Sequence, residues 1–147
     1  MKVFATNKKA HFLYNILETY EAGIVLSGTE VKSIVNNNVN IADAFVIRKR
    51  NEAYVINMHV APYDHGNIMN LDPLRTRKLL LYKSQINKIF FSAKKDRLAI
   101  IVLKIYSNNR KIKLEIALAK SKKVFDKRQT LKERYLKREI GKSFKKR

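Results

Sequence analysis

Apolar positions along the chain recur at one spacing through most of its length and at another near its end, and that change divides it. The period of two is plainest from Lys111 to Ala119, where Ile112, Leu114, Ile116 and Leu118 alternate with Lys111, Lys113 and Glu115. Such alternation sends one face into a core and the other into water. With the apolar run Arg97 to Tyr106 it flanks Ser107-Asn108-Asn109-Arg110, which predicts an antiparallel hairpin. Phe12 to Leu26 is rich in aromatic and branched residues and loosely alternating, the pattern of a long strand with a bend near Gly23. Ile41 to Arg48 and Ala53 to Ala61 read as two further strands around a turn at Arg50-Asn51-Glu52.

Helical signals are few. Ser27-Gly28-Thr29-Glu30 has capping-box spacing, so a short helix should follow, with Val31, Ile34 and Val35 inward. Asn36-Asn37-Asn38 should end it, because Asn tolerates left-handed backbone. Ser84 caps a second short helix carrying Ile86, Ile89 and Phe90. Pro62-Tyr63 breaks the preceding pattern, and the polar stretch to Thr76, with Gly66, Asn67, Asn70 and Pro73, reads as a mobile loop. The expected fold is mainly β: a small antiparallel OB-like barrel with two short helices, since closure removes exposed strand edges.

Beyond Lys120 the spacing becomes about four, pairing Leu131 with Tyr135, and Leu136 with Ile140 and then Phe144. The stripe is narrow and thickly flanked by cations. Lys120 to Arg147 holds thirteen Lys or Arg against Asp126, Glu133 and Glu139, half of the chain's formal net charge of +20. So dense a run repels itself and buries little apolar surface, so a polyanion is needed to order it, and nucleic acid is the expected partner. The division expected is a barrel over residues 1–120 and a basic tail over 121–147, disordered alone and helical when bound.

Composition narrows the classes further. At 147 residues with 46 % apolar content, one core plus an appendage is favoured over two domains. The absence of Cys removes disulfides and thiolate metal sites. No uncharged run approaches the roughly 18 residues of a membrane span, and MKVFATNKKA lacks the apolar centre of a secretory signal, so a cytoplasmic location is expected. His11, His59 and His65 share no metal-ligand spacing, and no Ser/His/Asp order or glycine-rich phosphate loop points to an enzyme or a cofactor.

Four collinear segments carry a resemblance: EAGIVLSGTEVKSI (Glu21 to Ile34), RTRKLLL (Arg75 to Leu81), EIALAKSKKVFDKR (Glu115 to Arg128) and LKERYLKRE (Leu131 to Glu139). From about Asn7 to the end the chain resembles the SsrA-binding protein (small protein B) family. The resemblance implies an OB-like barrel that binds the tRNA-like domain of transfer-messenger RNA and enters stalled ribosomes with it, performing no covalent chemistry. In that family the tail folds as a helix in the empty messenger channel. The free protein is expected to be a monomer, with no membrane association.

Carried onto this sequence, the transfer-messenger RNA face comprises Asn7, Lys8, Glu21, Arg77, Lys78 and Leu80. The cations suit phosphates, while Asn7 and Glu21 suit base edges or 2′-hydroxyls. Glu21 is the selective element, because a carboxylate facing RNA is costly without specific donors. The resemblance further implies that Lys122, Lys123, Phe125, Asp126, Lys127 and Arg128 meet the decoding centre of small-subunit ribosomal RNA, with Lys132, Arg134, Lys137, Arg138 and Lys142 along the messenger channel. The chain departs from the family pattern at five positions. Two cations common in the family are missing at Val35 and Asn38, Ser121 stands for a frequent Gly, Phe125 for His or Tyr, and Phe12 for His.

Blander readings stand beside these. Glu30 is accounted for as a cap, Glu21 could be a solvated strand residue, Leu80 could be core, and Phe125 could anchor the tail to the barrel. The rivals for function are a general RNA-binding barrel or ribosome-associated protein without transfer-messenger RNA selectivity, a basic amphipathic anchor on anionic membranes, and a hydrolase using His59.

Overall fold

The predicted hairpin is the spine of the structure, and every other long strand reaches it directly or through one neighbour. The computed structural model describes residues 1–63 and 71–122. In chain order these form β1 (Lys2–Thr6), α1 (Ala10–Leu13), β2 (Tyr14–Ile24), α2 (Gly28–Val35), β3 (Val39–Asn40), β4 (Phe45–Lys49), β5 (Glu52–Ile56), β6 (His59–Val60), β7 (Arg77–Leu80), α3 (Lys83–Lys95), β8 (Ala99–Asn108) and β9 (Lys111–Ser121). Strands β8, β4, β5, β7, β2 and β9 pair antiparallel in that order, and β9 returns to β8, so six strands close a ring. One edge of β8 is divided: Ile101 meets Phe45 of β4, while Lys104 to Ser107 pair with β1. The fold is the expected mainly β, OB-like barrel.

The two tight turns are legible in their chemistry. Arg50 and Asn51 join β4 to β5 with φ of 51° and 64°, and Asn109 and Arg110 join β8 to β9 with the same pair of values. Two successive left-handed residues match the right-handed twist of a hairpin, and Asn accepts that conformation at low cost. Asn37, at φ 63°, closes α2 as the Asn run predicts.

Val55, Met58, Leu79, Ile105, Leu114 and Ile116 fill the barrel, while Ile34 of α2 and Ile86 and Ile89 of α3 seal it. A second, smaller cluster lies outside the wall, where Ala10 of α1 covers Ile101, Leu103, Ala117 and Ala119. Because β8 is covered on both faces there, its Ile100-Ile101-Val102-Leu103 run is continuous instead of alternating.

Several expectations need correction. The described residues hold three helices, and α3, at 13 residues, is not short. Its N-cap is Tyr82, whose amide donates to Gln85 Oε1 at 3.1 Å, so the cap lies two residues before Ser84. Phe12 belongs to α1, not to a strand. The N-terminal strand β1 has no counterpart in the sequence reading. Ile41 to Ala44 form a turn, with Asn40 Oδ1 accepting from the Ala42 amide at 2.9 Å, so the strand there begins only at Phe45. Of the stripe expected for α2, Ile34 alone is buried: Val31 and Val35 are 37 % and 43 % exposed, and Glu30 and Ser33 turn inward instead.

Candidate nucleic-acid interface

Strand register sets one row of side chains across the outer wall of the barrel: Val3, Tyr106, Lys113, Gly23 and Leu80, on β1, β8, β9, β2 and β7 in turn. The neighbouring outward row runs Thr6, Lys104, Glu115 and Glu21. Where these rows approach the N-terminus of α3 they form a groove of about 580 Å³ lined by Glu21, Gly23, Lys78, Leu80, Tyr82 and Lys113 among others. Leu80 and Tyr82 are 55 % and 79 % exposed, an aliphatic and an aromatic surface presented to solvent. Cations beside an open aromatic ring are what an unpaired, stacked base with its phosphates requires.

The carboxylate in this groove is held in place. Tyr106 lies across β9, and its hydroxyl donates to Glu21 Oε2 at 2.5 Å. Tyr106 is buried, and burial, then the hydrogen bond to Glu21 and the charge of that carboxylate, push the phenol well above its ordinary range, so it remains a donor. Glu115, directly opposite Glu21, would repel it, but its own charge is met by Lys104 Nζ at 3.2 Å, and the same ammonium lies 5.4 Å from the Tyr106 ring centroid. Lys78 pairs with Glu52 at 3.4 Å, both side chains more than 40 % exposed, a contact weak enough to exchange for a phosphate. Lys113 has no acidic partner among the described residues.

Gly23 belongs to this groove for a steric reason. A Cβ there would lie 3.1 Å from Leu80 Cβ and 3.3 Å from its Cδ1. The residue does not have a positive φ, so close approach of Leu80, not a bend, demands glycine. Gly23→Ala should therefore displace Leu80 and lower stability by about 1–3 kcal/mol. Adding Leu80→Ala removes the Cγ and Cδ1 contacts and should recover part of that loss, as read from thermal unfolding midpoints.

Of the six barrel residues expected to contact RNA, the groove gathers Glu21, Lys78 and Leu80. Lys8 is exposed past the end of β1, which β8 separates from β9, and it does not line the groove. Asn7 is only 8 % exposed, and its side-chain amide donates to the Val102 carbonyl at 3.1 Å, so it fastens the end of β1 to β8. Arg77 is the clearest correction. It is fully buried, with Nε donating to Glu30 Oε2 at 2.5 Å, Nη1 to the carbonyls of Met58 and Arg75 at 2.7 and 3.0 Å, and Nη2 to that of Pro73 at 3.1 Å. Its donors are spent on the fold and none faces a phosphate.

Glu30 is the partner that draws Arg77 in. Its Oε1 accepts from the Ser27 amide at 2.9 Å, and its own amide donates to Ser27 Oγ at 3.2 Å, completing the predicted capping box. The same carboxylate also takes Arg75 Nη2 at 2.5 Å. Burial alone would raise its pKa, but hydrogen bonds from Arg75, the Ser27 amide and Arg77 outweigh it and hold the group below its usual value.

At the base of the tail, Ser121 still pairs with Tyr14, the Lys122 amide donates to the Leu13 carbonyl at 3.0 Å, and Lys122 Nζ donates to the His11 carbonyl at 2.8 Å. The ordered strand thus passes the expected boundary at residue 120, and the Lys122 ammonium is engaged with α1. Lys123, Phe125, Asp126, Lys127, Arg128, Lys132, Arg134, Lys137, Arg138 and Lys142 lie outside the described residues, as does His65. Sequence reasoning missed Tyr82, Tyr106 and Lys113. Lys113 is signalled by its outward place in an alternating strand, whereas Tyr82 and Tyr106 carry no local pattern.

Comparison with known proteins fits this geometry. The family described as "SmpB protein" matches residues 4–146. The chain belongs to the SmpB family. An SsrA-binding protein of Malacoplasma penetrans is 59 % identical over 142 residues, 97 % of each chain. Another SmpB family relative, the SsrA-binding protein of Geobacillus kaustophilus, is 49 % identical over 146 residues, covering 99 % of this chain and 94 % of its own. A solved structure described as "tmRNA-SmpB: a journey to the center of the bacterial ribosome" superposes with a TM-score of 0.70 at 41 % identity, over 84 % of this chain and 87 % of that one. Among the described residues of this SmpB family member, no helix is long and apolar enough to cross a membrane, and no three His, Asp or Glu side chains cluster as metal ligands.

Proposed function

We propose that this chain binds the tRNA-like domain of transfer-messenger RNA and delivers it to stalled ribosomes for trans-translation, acting by binding alone. The observation that carries the reading is the convergence of Glu21, Lys78, Leu80, Tyr82 and Lys113 in one groove of a barrel whose relatives are named for binding SsrA. Lys78 and Lys113 meet phosphates. Leu80 and Tyr82 offer surfaces on which splayed bases rest, and the fixed Glu21 carboxylate accepts from base or ribose donors. Arg77 and Glu30 brace β7 against α2, and Asn7 fastens the end of β1 to β8. The barrel, which ends with Ser121 in β9 and Lys122 against α1, then acts as the RNA-capturing body, and the basic residues after it as the segment that enters the messenger channel and folds there.

A competition experiment separates this reading from a general RNA-binding barrel. The full chain should retain labelled transfer-messenger RNA against an equal amount of tRNA at moderate salt, whereas a generic binder would lose it. Deleting residues 125–147 should leave that selective capture within about twofold and abolish peptide tagging on stalled ribosomes. If deletion removes capture as well, body and tail do not divide the work. Because part of the affinity is phosphate charge, its logarithm should fall with log salt by roughly 0.7 to 0.9 per phosphate contacted.

A further inference from the structure

At one seam the ring of strands is closed by a single residue pair. Strand β4 pairs with β5 at each of its five residues, but with β8 only through Phe45 and Ile101. Carrying that antiparallel register onward would set Val46 against Ile100 and Ile47 against Ala99, and neither pair is made. Among the described residues, the edge of β4 from Val46 to Lys49 and the edge of β8 at Ala99 and Ile100 therefore face no strand. Beside them lies a groove of about 570 Å³, lined by Val46, Arg48, Phe90, Lys94, Leu98 and Ile100 among others. It shares no lining residue with the groove that holds Glu21. Phe90 and Leu98 give it half-buried apolar walls, and exposed Arg48 and Lys94 have no acidic partner among the described residues. Arg48 Nη2 donates to Asn51 Oδ1 at 2.8 Å and to Asn87 Oδ1 at 3.2 Å. These neutral oxygens orient the guanidinium without cancelling its charge.

We propose that an extended acidic peptide of a partner protein docks in this seam as an added strand, setting apolar side chains against Phe90 and Leu98 and a carboxylate on Arg48. Unpaired strand edges present amide donors and carbonyl acceptors in alternation, which another peptide backbone matches and a sugar-phosphate chain does not. The unmatched cations call for carboxylates, whereas a second copy of this chain, at a net charge of +20, would bring like charge to like. Phe90 packs against the barrel core, and the Arg48 guanidinium lies 6.0 Å from its ring centroid, so the ring is engaged by the fold instead of standing free for a base. This inference is independent of the RNA-binding reading.

The test is titration of the isotope-labelled full chain with a decapeptide of alternating glutamate and valine, blocked at both ends, followed by amide NMR. Shifts should be confined to residues 45–49 and 90–101. Arg48→Gln should weaken binding about tenfold, the loss of one charged hydrogen bond, and Lys94→Gln about two- to fivefold. Both side chains are exposed, and unchanged amide signals away from the groove control for folding. Of two analogues, one N-methylated at its valines and one at its glutamates, at least one should lose binding about tenfold or more, because methylation removes the donors a paired strand needs. No shift at these residues, equal binding by both methylated analogues, or equal binding by a peptide with lysine in place of glutamate would overturn the proposal. So would shifts there with single-stranded RNA and none with the peptide, which would give the groove to nucleic acid. Contacts from residues 123–147 to the groove in the free chain would give it to the tail and overturn it equally.

Discussion

Replacing Glu30 with alanine should lower stability by about 3–5 kcal/mol, because two guanidinium groups, one fully buried, are left facing each other without their shared counter-ion. For a chain of this size that is a fall of roughly 10–20 °C in the thermal midpoint. The loss includes the capping box, which alone is worth about 1 kcal/mol. The same carboxylate makes stability depend on pH in a defined direction. Its pKa lies below the ordinary 4.5 when folded, so the contribution is fully present above that value and disappears as pH falls through the lower folded pKa. Acid unfolding of Glu30→Gln should accordingly be less steep than that of the native chain. A midpoint for Glu30→Ala within 2–3 °C of native, roughly 1 kcal/mol or less, would show that water replaces the network cheaply.

The second large effect concerns capture of transfer-messenger RNA. Glu21→Gln should weaken it about 10- to 100-fold, the range expected when a charged hydrogen-bond acceptor is neutralised at an interface. Tyr106→Phe deletes a single oxygen behind the RNA-facing surface and should still cost about five- to tenfold, because it frees the Glu21 carboxylate to rotate. The decisive quantity is the coupling. The double variant should bind about as weakly as Glu21→Gln alone, since Tyr106 acts only through that carboxylate. Strict additivity would mean that Tyr106 contributes by some other route, and an unaffected Glu21→Gln would remove the carboxylate from the interface altogether. Filter binding across the cycle distinguishes these results.

What the sequence disclosed and what it withheld follow from the range of the interactions involved. The capping box is readable because Ser27 and Glu30 are three residues apart, and the hairpin because Ile112, Leu114, Ile116 and Leu118 repeat every second position. The pairing of Glu30 with Arg77 spans 47 residues and leaves no periodic trace, so Arg77 resembled a phosphate ligand in a basic RTRK run when its neighbour Lys78 was the exposed one. The same pairing turned α2 on its axis and exposed Val31 and Val35, which a purely apolar stripe would have buried. Tyr106 was hidden differently. It stands three residues past the continuous apolar run that ends at Leu103, and only the register with Val3 and Lys113 reveals that it points outward. Strand β1 is five residues long and made sense only beside β8.

The junction at Ser121 has a mechanical meaning. Strand β9 is held on one side by β2 and on the other by β8 over almost its whole length, and Lys122 adds a knot to α1. Hydrogen bonds perpendicular to a strand share a load applied along its axis, where a strand at a sheet edge pulled sideways would surrender them one at a time. Tension drawn on the residues that follow, if it comes along that axis, is therefore transmitted to the entire barrel as a rigid mooring, and whatever RNA the body carries moves with it.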